Sequence, residues 1–176
     1  MVVGAVRIDS YSNVTIAESI LIGNLAPDGA GGAIGSSGYL TILDTTFQDN
    51  TARSSGGAIY LGGSSSLTII ENSTFVGNTS SSGGAIVAYG EVTIENCTVS
   101  GNQASGQGGA IDKQSGDVTL THCTIIGNTA TFGGGIWVSG TVVVENTITA
   151  DNTATYSGPD ILRRAVRFHR GRFTET

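Results

Sequence analysis

Charge is scarce in this sequence of 176 residues: 12% of positions are Asp, Glu, Lys or Arg, about half the roughly 25% of ordinary globular domains. From Ile8 to Leu162 there are thirteen acids and two bases, Arg53 and Lys113. A surface with so little positive charge repels a phosphate backbone, which excludes nucleic acid as a partner of this stretch. No apolar run approaches the roughly 20 residues of a membrane-spanning helix. No segment sustains a 3.6-residue period, so helices are not expected. Met1 is followed by strand-like sequence, with neither a basic n-region nor a small-residue cleavage site, so no secretory signal is expected within the chain.

Chemistry-bearing groups are equally few. Asp112, Lys113 and Asp117 are the only acid–base cluster in the body. Glycoside hydrolysis wants clustered carboxylates, and lyase chemistry wants a base, often with calcium. Asp112 follows an inward-facing residue and is expected to face solvent, so the three read as solvated charges at a sheet edge. Cys97 and Cys123, 26 residues apart, occupy a column that is otherwise Ser or Thr. They read as two small buried thiols. A disulfide is the alternative in an exported protein, but adjacent parallel strands rarely present suitable Cβ vectors. Neighbouring His122 does not complete a zinc-like spacing, and the nonapeptide calcium pattern is missing. No catalytic residue, metal or cofactor is assigned.

What the chain does have is repetition. Gly is over-used, at 27 residues. Gly31-Gly32-Ala33-Ile34 recurs from Gly56, Gly83 and Gly108, then as Gly133-Gly134-Gly135-Ile136 and, degraded, as Gly158-Pro159-Asp160-Ile161. A second motif alternates with it. Asn24, Asn50, Asn78, Asn102, Asn128 and Asn152 each follow Gly or Asp, and Leu21, Phe47, Phe75, Val99, Ile125 and Thr149 stand three residues earlier. Between the motifs lie short runs such as VTI from Val14 and Val92 and VTL from Val118. Apolar-polar-apolar is the period of a strand with one buried face. A unit of about 25 residues cannot bury that face alone, whereas stacked copies can. The expected fold is all-β: a right-handed parallel β-helix (a pectin-lyase-like solenoid) of about six to seven coils, spanning residues 1–162. A leucine-rich horseshoe lacks its Leu pattern here.

Inward ladders are expected at Ile34, Ile59, Ile86, Ile111 and Ile136, and at Phe47, Phe75, Val99 and Ile125. The column Asp44, Asn72, Asn96, His122 and Asn146, just after a strand, is where an Asn ladder would turn a corner. Residues 163–176 leave the repeat and carry five of the eight bases. A terminal cap, a linker and an artificial end all fit them, and the domain reads as a fragment of a longer solenoid.

The alternation of Gly-Gly-Ala-Ile with Phe47–Asn50 and Phe75–Asn78 resembles the repeats of the chlamydial polymorphic outer-membrane proteins, over about Gly4 to Ile161. That resemblance implies a surface-exposed passenger region used in adhesion. It brings no catalytic residues, and the family's membrane β-barrel has no counterpart in this sequence. The residues after each inward Ile (Gly35, Tyr60, Val87, Asp112 and Trp137), with Tyr89, should point outward from one sheet. Tyr60, Tyr89, Asp112 and Trp137 are therefore the candidate binding residues, since Tyr and Trp on a flat face stack on sugars or anchor a protein. The sequons at Asn13, Asn72, Asn78 and Asn96 read as coincidence in so Asn- and Thr-rich a chain. The functional expectation is a secreted or surface-displayed module binding a host or bacterial surface protein or a polysaccharide. A fragment of a carbohydrate-active enzyme on the same scaffold is the alternative.

Overall fold

Gly-Gly turns and Asn corners interrupt every apolar run after a few residues, so the chain makes strands of two to five residues and bends between them. The computed structural model describes residues 4–63 and 67–163. Among these residues there are 25 strands and no helix, in one seven-stranded and three six-stranded sheets. Every pairing between the strands is parallel, and each strand's neighbours come from the coils before and after it. The first sheet holds Val6–Ile8, Ile34–Ser36, Ile59–Leu61, Ile86–Ala88, Ile111–Lys113, Ile136–Val138 and Ile161–Arg163 in spatial order. The second runs from Asn13–Ala17 to Thr141–Glu145, the third from Ile20–Ile22 to Ile148–Ala150, and the fourth from Leu25–Ala26 to Thr153–Ser157. One coil visits the four sheets in turn. The chain is a right-handed parallel β-helix of about six coils.

The core is the lumen of this solenoid. Ile34, Ile59, Ile86, Ile111 and Ile136 pair in register and are buried. Phe47 and Phe75 lie fully buried in adjacent coils of the third sheet, with ring centroids 4.7 Å apart and planes 3° from parallel. Such stacking adds about 0.5–1.5 kcal/mol to the area buried. In the second sheet Leu40 and Ile42 pair with Thr68 and Ile70, so Thr68 takes the lumen position and Leu67 is left at the surface.

Two glycine positions explain the Gly-Gly-Ala motif. The first glycine is left-handed in every coil (φ between 60° and 73°), a conformation that favours Gly. The second lies where coils pass closest: a Cβ on Gly57 would fall 2.1 Å from the Gly84 carbonyl oxygen.

The corner amide ladder runs through a different column from the one expected. Asn72, Asn96 and Asn146, together with Asp44 and His122, are exposed and have φ between 47° and 54°, which turns their side chains away from the lumen. The residues just after them face inward instead. There the Thr45 N–H donates to Ser73 Oγ at 3.1 Å, and the Cys123 N–H to Thr147 Oγ1 at 3.0 Å. The Asn ladder is Asn24, Asn50, Asn78, Asn102, Asn128 and Asn152, between the third and fourth sheets. Each amide oxygen from Asn50 onward accepts from the backbone N–H of the preceding Asn at 2.9–3.0 Å. It also accepts from that residue's Nδ2, at 2.8–2.9 Å. The Gly or Asp before each Asn is left-handed, and this aims the amide inward.

Candidate functional site

Between the first and second sheets the corner varies in length, and the side chains that break the repeat gather there. Two residues suffice at Ser37–Gly38, Tyr89–Gly90 and Ser139–Gly140, three are used at Gln114–Gly116, and residues 62–66 make five. Four of the five tyrosines lie on or beside this edge. Tyr11 is left-handed in the corner of the first coil and 97% exposed, and Tyr39 is 48% exposed at the start of the next strand. Tyr60 and Tyr89, from successive coils, meet edge to face with centroids 6.0 Å apart. Burial, and then the neighbouring Tyr89 phenol, raise the pKa of Tyr60. The fifth, Tyr156, packs on Phe132 away from this corner, with centroids 5.3 Å apart.

Two of the expected binding residues are not available at the surface. Asp112 and Trp137 do lie on the outward side of the first sheet, in register with each other, but Asp112 is fully buried and Trp137 is 9% exposed. The chain entering each Gly-Gly turn crosses beside this column. A Cβ on Gly83 would lie 2.5 Å from Val87 Cγ2, and one on Gly108 would lie 2.7 Å from the Asp112 nitrogen. Gln114 Nε2 donates to both carboxylate oxygens of Asp112 at 2.8 Å. Burial pushes the Asp112 carboxyl up to about 6, and the Gln114 hydrogen bond opposes that shift. An amide two residues from a carboxylate on a strand lies on its own face, a signal that sequence reading could have used.

Lys113 departs furthest from a solvated edge charge. It follows Ala88 in an inward column and is buried in the lumen. Its ammonium donates to the carbonyls of Gly90 and Ser115. Ser115 belongs to the three-residue corner, so the lysine satisfies a carbonyl that the two-residue corners do not have. Burial lowers the Lys113 pKa to about 8, against the opposing pull of Asp117 and then Glu91. The acid–base cluster read from sequence is therefore divided: Lys113 points inward, Asp112 outward under cover, and Asp117 is exposed.

Cys97 and Cys123 are buried free thiols. Cys97 Sγ accepts from the Ser73 N–H at 3.3 Å and donates to the Glu95 carbonyl at 3.1 Å. Burial drives its pKa up to about 12. His122 lies outside with Nδ1 3.9 Å from Glu95 Oε1. Among the described residues no three His, Cys, Asp or Glu side chains converge as metal ligands, and no helix is long and apolar enough to cross a membrane.

Parallel coils with an apolar lumen, an internal Asn ladder and one corner of variable length define a β-helix solenoid. Residues 33–168 match the family model described as a right-handed beta helix region, and the chain belongs to that family. No curated protein and no solved structure matches it.

Proposed function

We propose that this β-helix is a secreted or surface-exposed binding module, of the adhesin or autotransporter-passenger kind, and that the tyrosine-bearing corner contacts a host protein or a glycan. The observation that carries the reading is the gathering of Tyr11, Tyr39, Tyr60 and Tyr89 along one edge that also holds the corner insertions. Loops on a rigid scaffold are where binding residues concentrate. Tyr offers large amphipathic contact area at low entropic cost, with Ser and Gly as adaptable neighbours, as at Ser12, Ser37, Gly62 and Ser115. The likeness of the repeats to chlamydial polymorphic outer-membrane proteins supports a passenger role. Division of the acid–base cluster between the two sides of a strand favours binding over turnover.

The test presents the purified chain and its Tyr11→Ser/Tyr39→Ser/Tyr89→Ser variant to glycan and surface-protein arrays. A ligand whose signal drops at least about tenfold in the variant supports the reading, since contact aromatics each contribute upwards of about 1 kcal/mol. Silence on both arrays, equal binding by the variant, or product release from pectin or alginate overturns it.

A further inference from the structure

We propose that the tyrosine-bearing corner takes a basic partner: an arginine- and lysine-rich segment of another protein, laid along the solenoid axis across several coils. This rests on the corner being the binding surface. One column opens the second-sheet strands of four consecutive inner coils: Tyr39, Leu67, Glu91 and Asp117, about 4.8 Å apart from coil to coil. All four are exposed. Leu67 pairs in register with Glu91, and Val92 beside Glu91 pairs with Val118 beside Asp117. The column thus passes from an apolar half to an acidic half. Tyr89 stands two residues before Glu91 and meets Tyr60 edge to face on the first-sheet side of this line.

Glu91 and Asp117 have no surface cation beside them. They open adjacent paired strands, where like charges destabilise a sheet. Among the described residues neither carboxylate takes part in an ion pair. Lys113 is attracted by both, but it is turned into the lumen, with its ammonium held by the Gly90 and Ser115 carbonyls. Arg53, the other base between Ile8 and Leu162, follows a fourth-sheet strand and pairs with Asp28 at 3.5 Å. Cations brought by a partner would relieve the repulsion at this edge, and the same carboxylates repel anionic glycans.

Arginine suits both halves of the column. Its guanidinium stacks on a Tyr face and forks onto a carboxylate. Its stem, like that of lysine, lies along apolar surface, here Tyr39 and Leu67. Tyr60 and Tyr89 stand at 62° to each other, so they form no common flat platform for a sugar chain, whereas separate side chains of a peptide can each take one ring. The acidic half is held rigidly. The corner at Gln114–Gly116 lies on Tyr89 and Gly90: Ser115 Oγ donates to the Tyr89 carbonyl at 2.8 Å, and Gly116 passes against the Gly90 carbonyl. Glu91 and Asp117 follow directly from these stacked corners.

Fluorescence anisotropy with labelled peptides of about eight residues tests this, since an extended chain of about 26 Å covers the four coils. The probes are alternating Arg-Ser, Lys-Ser and Glu-Ser peptides and a chitosan oligomer, a cationic sugar chain. The proteins are wild type, Glu91→Gln/Asp117→Asn, Tyr89→Ser, and Glu145→Gln/Asp151→Asn, which removes two exposed acids from other corners. Circular dichroism checks that each variant keeps its β signal. The proposal is supported if the Arg-Ser peptide binds, binding weakens from about 50 to 300 mM salt, and Tyr89→Ser also weakens it. Glu91→Gln/Asp117→Asn should cost at least about fivefold, the scale of two exposed ion pairs, while Glu145→Gln/Asp151→Asn leaves the affinity unchanged. Absence of binding by both basic peptides overturns it. So do equal losses in the two acid-removing variants, indifference to Tyr89→Ser, equal binding of the Glu-Ser peptide, or tighter binding of the chitosan oligomer. An array ligand lost in Tyr11→Ser/Tyr39→Ser/Tyr89→Ser but kept in Glu91→Gln/Asp117→Asn sinks the basic partner and leaves the corner as the binding surface, whereas loss of the tyrosine dependence sinks both.

Discussion

Replacing Lys113 with Met isolates the cost of a charge inside the lumen. The ammonium's pKa falls from its ordinary 10.5 to about 8 because burial penalises the charged form. A difference of about 2.5 units corresponds to about 3 kcal/mol. Between pH 8 and 10.5 the unfolded chain binds the proton more firmly than the folded one, so stability rises with pH across that window. Below pH 8 both states are charged and the penalty is constant. The Lys113→Met variant has no such group. At pH 7 it sheds the penalty of about 3 kcal/mol and loses two charged hydrogen bonds of about 1.5–3 kcal/mol each, a net loss between about 0 and 3 kcal/mol. The pH dependence is the sharper readout. Urea unfolding followed by the fluorescence of buried Trp137, at steps from pH 7.5 to 10.5, should show the wild type gaining about 3 kcal/mol relative to the variant. Phenol titration is common to both proteins and cancels in the difference. Parallel stability curves would refute a buried, depressed lysine.

Asp112→Asn should stabilise the fold by about 3 kcal/mol at pH 7, because a carboxyl raised from 3.8 to about 6 destabilises the native state once both forms are ionised. The advantage should vanish between pH 6 and 4, and denaturant titrations at those pH values measure it. Asn78→Ala breaks the ladder at its middle, removing acceptance from Asn50 and donation to Phe47 O and Asn102 Oδ1. At about 1–3 kcal/mol for each buried group left unpaired, a loss of at least about 3 kcal/mol is expected in urea midpoints, and a loss below 1 kcal/mol would contradict the ladder. Cys97 and Cys123 should react with a thiol reagent at pH 8 only as fast as the coil opens, so labelling of the native protein that matches the urea-unfolded rate would contradict their burial.

The stacking axis was legible in the sequence because Gly-Gly-Ala-Ile and the paired Asn motif recur at near-constant spacing, and only stacked coils bury such residues. The inside and outside of the corners were harder to read. Asn72 and Asn50 both follow strands, and what separates them is the left-handed residue: Asn72 is itself left-handed, whereas at Asn50 it is the preceding Asp49. Backbone handedness at a non-glycine residue is not written in composition. The alternation rule placed Asp112 on the outward side correctly but took outward to mean wet, which fails where the Gly-Gly approach covers the sheet. Lys113 fell in an inward column beside Ala88, and the corner carbonyls of Gly90 and Ser115 that hold its ammonium belong to no column the sequence marks. Tyr11 stands in a corner outside the repeat, and Tyr39 opens a second-sheet strand at a position whose residue type does not recur: Asn13, Tyr39, Leu67, Glu91, Asp117 and Thr141.

The variable corner has a practical corollary. Loops of two to five residues leave this one edge while the coils beneath them keep register. Diversity admitted there leaves the hydrogen-bonded shaft unchanged, so foreign peptides grafted at Gly62 or Gln114 should be displayed along a stiff rod at intervals set by the strand spacing of about 4.8 Å.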